Sequence, residues 1–371
     1  GTGKTRIMHK IANLQLQKNK IVCMILPNLP LLKQTIDNFI MENKDIQKIA
    51  ICSDNSINNV MTTTDEDEII EFLNLDETYD DDYDFTINEN NNTNIEEETD
   101  EFYYDEEENK IEVFDEIKSE STNKYMIFCS YQSMYKLRNI MDRSNLRIDC
   151  LIVDEAHRIA FSENYKWILG CKEINYRYFF TATVLEYMLD NEDIFGKVIF
   201  NYTFEDAIKD NIITDYKIII SLFDTPEIIE DTNNPIRNKA MIENITDILI
   251  NEKSKKVISF HSFNESINET STNSKEYHDL FKEMNINIID STYIEAGING
   301  TKRTEILTNF ASKNDKIQEI FNCRLLSEGV DIPCIDTLIF VDPSDSYVLN
   351  IQRTGRCLRK YPGKEKGIII I

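Results

Sequence analysis

DCLIVDEAH, residues 149–157, is the stretch on which the fold turns. Cys150, Leu151, Ile152 and Val153 form an unbroken apolar run that stops at two carboxylates, Asp154 and Glu155. A strand that is apolar on both sides must be covered on both sides, which is the condition of a parallel sheet between layers of helices. In such sheets the working groups collect at the carboxyl ends of the strands. Adjacent acids there suit phosphoryl transfer, one holding Mg2+ directly or through water and the other polarising an attacking water. Acids in the first turn of an ordinary helix read the same way. The stretch therefore needs a partner elsewhere in the chain.

That partner stands at the other end of the same half. GTGKT, residues 1–5, matches the second half of the phosphate-binding pattern G-x-x-x-x-G-K-[ST], so the chain starts inside the loop and the pattern's first glycine would lie before residue 1. Glycine is scarce, 10 in 371 residues, and after Gly3 none follows until Gly170. Ile7, Ile11 and Leu14 then recur at helical spacing. A loop running into a helix aims backbone N–H groups and the positive end of a helix dipole at phosphate.

Strand and helix patterns alternate throughout. Apolar runs at 19–27, 46–53, 124–130, 149–153 and 176–184 read as strands of a first unit, with a helix over LLKQTIDNFI. A second set begins with KKVISFHSF at 255–263 and closes with GIIII. The fold class expected is α/β, two tandem domains with parallel sheets, the boundary falling near residue 220 (1–220 and 221–371).

Net charge is −26, which by itself argues against a nucleic-acid partner. Residues 65–109, however, carry 21 Asp or Glu and no Lys or Arg, and taking those charges from −26 leaves −5 for the rest. The stretch at about 62–120, with NENNNTN inside it, is expected to be an acidic low-complexity insertion in the first domain, disordered for want of apolar surface to bury. An acidic segment that competes for a basic groove is the other possibility. Eight scattered cysteines without a C-x-x-C pair argue against a zinc site or a disulfide framework. No apolar run of membrane-spanning length is present, and a soluble intracellular protein, cytoplasmic, nuclear or of a viral factory, is expected. The single Trp167 reads as packing.

Taken in order, these motifs resemble the two-domain core of the superfamily 2 helicases and translocases, built from RecA-like domains. DEAH and TAT (181–183) match the second and third motifs of that family, and ILPNLPLLKQ (25–34) and FCSYQSM (128–134) resemble its nucleic-acid-contacting segments. VISFHSF (257–263), NCRLLSEGVDIP (322–333) and IQRTGRCLRK (351–360) resemble the fourth, fifth and sixth. YTFEDAIKDNIITDYKI (202–218) resembles the bridge between domains in the branch that contains restriction-enzyme motor subunits. The fifth and sixth motifs at their interval are the most specific of these.

The resemblance implies ATP and Mg2+ as ligands. It assigns Gly1, Thr2, Gly3 and Lys4 to the phosphates, Thr5 and Asp154 to magnesium, and Glu155 to the attacking water. Gly329 would allow a close backbone approach and Asp331 would meet the ribose or the coupling network. Gln352 would line the nucleotide, with Arg356 and Arg359, three apart on one helix face, reaching the γ-phosphate as arginine fingers. His157, Thr181, Ala182 and Thr183 would couple hydrolysis to the domain interface. Asn28, Ser130, His261 and Arg324 are the expected contacts to a nucleic-acid backbone, DNA in preference to RNA. The activity implied is ATP-dependent unwinding or translocation. A catalytically impaired fragment that only binds, and the motor subunit of a restriction-type nuclease, are the alternatives.

Overall fold

The computed structural model describes residues 3–18, 20–39, 46–54, 57, 60–76, 124–222, 235–261, 273–294, 298, 300–312, 314–322, 332–341 and 346–371. Two six-stranded sheets organise it. The first contains β1 (Val22–Leu26), β2 (Gln47–Ile51), β3 (Met61–Thr63), β4 (Tyr125–Ser130), β5 (Ile148–Val153) and β6 (Ile174–Phe179), in the order β3-β2-β4-β1-β5-β6. The second contains β7 (Asp215–Ile219), β8 (Lys256–Phe260), β9 (Ile289–Ile294), β10 (Ile317–Asn322), β11 (Thr337–Phe340) and β12 (Lys366–Ile370), in the order β7-β12-β11-β8-β10-β9. Every neighbouring pair is parallel.

The side-chain period of two divides each core cleanly. In the first sheet Cys23, Ile25, Ile127, Cys129, Leu151 and Val153 share one hydrophobic cluster. Their neighbours Val22, Met24, Leu26, Met126, Phe128, Cys150 and Ile152 belong to the cluster on the opposite face. The second sheet sorts likewise, with Ile258, Phe260, Ile320 and Leu338 on one face and Val257, Phe321 and Ile339 on the other. Strands apolar on both faces thus lie at the centre of each sheet, as the reading of residues 149–153 requires.

The helix Lys4–Leu16 forms where expected, but turned. Its buried stripe is Met8, Ala12 and Leu16, while Ile7 and Leu14 are 42% and 45% exposed. The i, i+4 stripe packs against Leu32 and Ile36 of the helix Leu29–Asn38, on the same face of the sheet. Similarly, β7 lies before the expected boundary at residue 220, yet it is an edge strand of the second sheet through its pairing with β12. The bridge helix Phe204–Lys209 is closed by a capping box between Thr203 and Asp206.

Part of the acidic stretch is ordered. Asp65 caps the helix Glu66–Phe72, whose first turn carries Glu66, Asp67 and Glu68 at its positive end. Ile69, Ile70 and Leu73 are buried in the first-sheet core, and Glu66 pairs with Lys136 and Arg143 of the helix Met134–Arg143. Its first residues are therefore an integral element, because three apolar side chains interrupt the acids. Residues 77–123 lie outside the described residues. Among the described residues, no helix is long and apolar enough to cross a membrane.

One buried acid in the second sheet has no cationic partner among the described residues. Glu319 on β10 is 4% exposed and accepts a hydrogen bond from the Ser259 hydroxyl. Burial pushes its carboxyl up to about 7, from 4.5 when exposed. Between those values the native state keeps a proton that the unfolded chain has released. Stability therefore falls as pH rises from about 4.5 to about 7, by on the order of 3 kcal/mol, and is level above. Glu319→Gln should remove this slope. Its melting temperature should exceed that of the parent by several degrees at pH 8 and differ little at pH 4.5. A parallel offset at both pH values contradicts the assignment.

Candidate active site

The loop enters its helix through Gly3, whose φ of 95° is open to glycine and strained for any other residue. No atom lies within 4 Å of a Cβ built there, so the backbone angle, not space, demands the glycine. The Gly3 carbonyl accepts from Arg6 and Ile7, which starts the helix with Lys4 as its first residue. Thr5 is exposed on the next position, and the Lys4 and Thr5 amides, ahead of that first bond, have no intrahelical acceptor.

Across from it, β5 delivers Asp154 and Glu155 at its carboxyl end, the position expected. Lys4 Nζ lies 3.2 Å from Glu155 Oε1 and 3.7 Å from Asp154 Oδ1. One ammonium thus faces two carboxylates. Burial raises the Asp154 carboxyl above its ordinary range, and the Lys4 charge pulls against that shift. Asp154 Oδ1 accepts from the Glu155 amide at 3.0 Å, which holds the turn. Glu155 itself has φ 51°, a left-handed backbone that costs a non-glycine residue about 1–2 kcal/mol. Its second oxygen, Oε2, is buried without a hydrogen-bond partner among the described residues. Two carboxylates against one lysine, with one carboxylate oxygen unused, form a donor set that fits a hydrated divalent cation beside a phosphate.

His157 ties this turn to the end of β6. Its Nδ1 is 3.1 Å from Thr181 Oγ1 and 3.5 Å from Glu155 Oε2. Thr181 Oγ1 donates to the Thr183 carbonyl at 2.8 Å and accepts from the Thr183 amide at 3.1 Å. With that hydroxyl proton spent on the carbonyl, Thr181 accepts from Nδ1–H, which sets the imidazole tautomer. The structure thus brings His157, Thr181 and Thr183 together, and Ala182 between the threonines lines the cleft beside Lys4.

The second sheet supplies the opposite wall. A cleft of about 1010 Å3 is lined by Gly3, Lys4, Thr5, Asp154 and Glu155 on one side and by Gln352, Arg356 and Arg359 on the other. Ser346 caps the helix Tyr347–Cys357, which carries Gln352 and Arg356. Gln352 Oε1 is buried without a hydrogen-bond partner among the described residues. Arg359 corrects one expectation, for the helix ends at Cys357 and Arg359 lies beyond it, so the two arginines do not share a helix face. The chain leaves the helix towards Pro362 and a left-handed Gly363, and Thr214 secures the exit by donating to the Leu358 and Arg359 carbonyls. Burial lowers the Arg359 pKa, a sign of how far its guanidinium is withdrawn from water.

Gly1, Thr2, Arg324, Gly329 and Asp331 lie outside the described residues. The remaining expected nucleic-acid contacts are placed as follows. Asn28 caps the helix Leu29–Asn38 by accepting from the Leu31 amide, Ser130 is buried and donates to Ser133 Oγ, and His261 is buried at the end of β8. Sequence reasoning missed Arg353, whose guanidinium carbon stands 4.6 Å from the centre of the Phe260 ring and which anchors the helix to the sheet. Its place in Q-R-x-G-R, one turn before Arg356, was the available signal.

The profile of the family described as type III restriction enzyme, res subunit, matches residues 1–186, half of the chain. The chain belongs to that family. A second profile, the helicase conserved C-terminal domain, matches residues 240–361. Together they make the chain a superfamily 2 helicase core of the restriction-motor branch. "Putative ATP-dependent helicase IRC3" of Saccharomyces cerevisiae is 34% identical over 93 residues, 25% of this chain and 13% of its own length. "Probable helicase A859L" of African swine fever virus is 25% identical over 236 residues, 60% of this chain and 26% of its own. The chain thus spans about a quarter or less of the length of these curated relatives. Among solved structures, the ATP-dependent Type ISP restriction-modification enzyme LlaBIII bound to DNA aligns with a TM-score of 0.71 and 20% identity, over 100% of this chain and 25% of its own. At that identity the likeness speaks to the fold, two tandem RecA-like domains.

The charge balance at the turn is open to direct test. Because Lys4 holds the Asp154 carboxyl down against burial, Lys4→Met should raise the Asp154 pKa further. Carboxyl-carbon NMR across a pH titration reads this, and an unchanged or lowered value contradicts the assignment.

Proposed function

We propose that this chain is the ATP-hydrolysing core of a nucleic-acid helicase or translocase, acting on DNA through backbone contacts. The supporting observation is the single cleft lined by a lysine and two acids from one sheet and two arginines from the other. The family match and the helicase names of the relatives support the same reading. That LlaBIII is described as bound to DNA favours DNA.

In this account Lys4 and the amides of its helix turn hold the β- and γ-phosphates, while Thr5 and Asp154 hold magnesium. Bound Mg·ATP supplies the electrophilic γ-phosphoryl group and the free energy of its hydrolysis. Glu155 orients and deprotonates the attacking water through a carboxylate oxygen that accepts no hydrogen bond among the described residues. His157 keeps that carboxylate in place and links it to Thr181. Arg356 and Arg359 neutralise charge that develops on the transferred group, and Gln352 faces the nucleotide beside them. Since the arginines belong to the second sheet, the full set acts only when the cleft closes, and product release lets it reopen. Alternation between these states would advance the chain along a strand.

A motor role within a restriction-type nuclease is the second reading, favoured by the res-subunit profile. Among the described residues no cluster of three or more His, Cys, Asp or Glu suited to a metal occurs.

The test is ATP turnover by the full-length protein with and without duplex or single-stranded DNA. DNA should stimulate turnover, and Lys4→Ala and Glu155→Gln should each lower kcat at least about 100-fold. Arg356→Ala should lower kcat by about 1000-fold with ATP affinity retained. Turnover indifferent to DNA and RNA alike, or full activity in Glu155→Gln, overturns the proposal.

A further inference from the structure

Tyr131 follows β4 directly, inside FCSYQSM, yet its hydroxyl ends at a different strand. It donates to the Asp154 carbonyl at 3.0 Å and lies 3.3 Å from the Glu155 carbonyl. β1 stands between β4 and β5 in the sheet, so the side chain bridges two strand spacings, about 9–10 Å, over the end of β1. The last residue of β1, Leu26, is in register with Ser130, the last of β4. The two segments expected to meet nucleic acid, 25–34 and 128–134, therefore leave the sheet side by side.

The ring is held as tightly as its hydroxyl. Tyr131 is 2% exposed, edge-on to Tyr165 at 4.9 Å, with the Arg158 guanidinium 5.8 Å from its centre. Tyr165 and Arg158 both belong to the short helices that follow the acidic turn. At the receiving end is the left-handed Glu155, whose strained backbone persists only while its surroundings hold it. A hydroxyl shared between the two carbonyls of that turn supplies such a restraint, and it moves with the end of β4.

We propose that Tyr131 is a positioning residue that couples nucleic-acid contact at the ends of β1 and β4 to the carboxylates of Asp154 and Glu155. It acts through the Asp154–Glu155 backbone and touches neither nucleotide nor nucleic acid. This rests on the helicase reading above. Coupling of this kind is reciprocal, so it appears as a change in nucleic-acid affinity when the nucleotide site is filled.

The experiment measures the affinity of the full-length protein for a fluorescein-labelled oligothymidylate, with and without a non-hydrolysable ATP analogue. The parent protein should show a ratio between the two affinities of about tenfold. In Tyr131→Phe, which keeps the ring, the ratio should fall to within about twofold of unity, and kcat should drop while the KM for ATP holds. Tyr165→Leu removes the packing partner and leaves the hydroxyl, so it should lower the melting temperature and keep the ratio. A parental ratio in Tyr131→Phe overturns the proposal, as does an equal loss in Tyr165→Leu, which would assign the effect to packing. A parent protein without DNA- or RNA-stimulated turnover defeats the helicase reading first, and this inference with it.

Discussion

Two carboxylates at the end of a buried strand face one lysine, and the arrangement of the cleft follows from that imbalance. Asp154 and Glu155 cannot both sit in a low-dielectric turn without cationic compensation. Lys4 gives part of it at 3.2 and 3.7 Å. The remainder suits a divalent cation, and the arginines on the far wall suit the phosphates it would accompany. In the proposed reading the same charge balance makes both sheets necessary, since Lys4 alone stands against the two acids at their turn and Arg356 and Arg359 reach the cleft from the second sheet's side.

The sheets exist to hold those ends in register. Parallel strands with both faces apolar put β1, β4 and β5 side by side, and their carboxyl ends place Asn28, Ser130 and Asp154 on one edge. Helix packing then fixes the approach from the other direction. Met8, Ala12 and Leu16 seat the first helix so that its N-terminal turn, with Lys4, meets the acids. On the second sheet Arg353 against Phe260 seats the helix that presents Gln352 and Arg356.

Much of this was legible in the sequence because it rests on local rules. Unbroken apolar runs ending in polar residues read correctly as buried parallel strands, and the acids, the lysine and the two arginines singled out in the sequence line one cleft. What escaped depended on three-dimensional context. The face of the first helix turned by one residue, since Met8, Ala12 and Leu16 join the cluster over β1 and β5, which no periodicity reveals. Arg359 left its helix because the helix ends at Cys357, two residues short of it. The helix Glu66–Phe72 hid in an acidic stretch, where composition outweighed Ile69, Ile70 and Leu73. Tyr131 looked like part of a strand-end motif, and its target lies two strands away. Glu319 gave no signal at all, because an acid in EIFN reads as exposed until its strand is placed between β8 and β9.

The central claim is that arginines of the second sheet act on the transferring phosphate and not on the resting nucleotide. Affinity for ADP with aluminium fluoride, which imitates the transferring group, tests it when set against affinity for ADP alone in the same protein. Arg356→Ala should weaken the aluminium fluoride complex by at least about 100-fold and change ADP affinity by less than about threefold. Equal losses for both ligands, or no loss for either, would contradict the account.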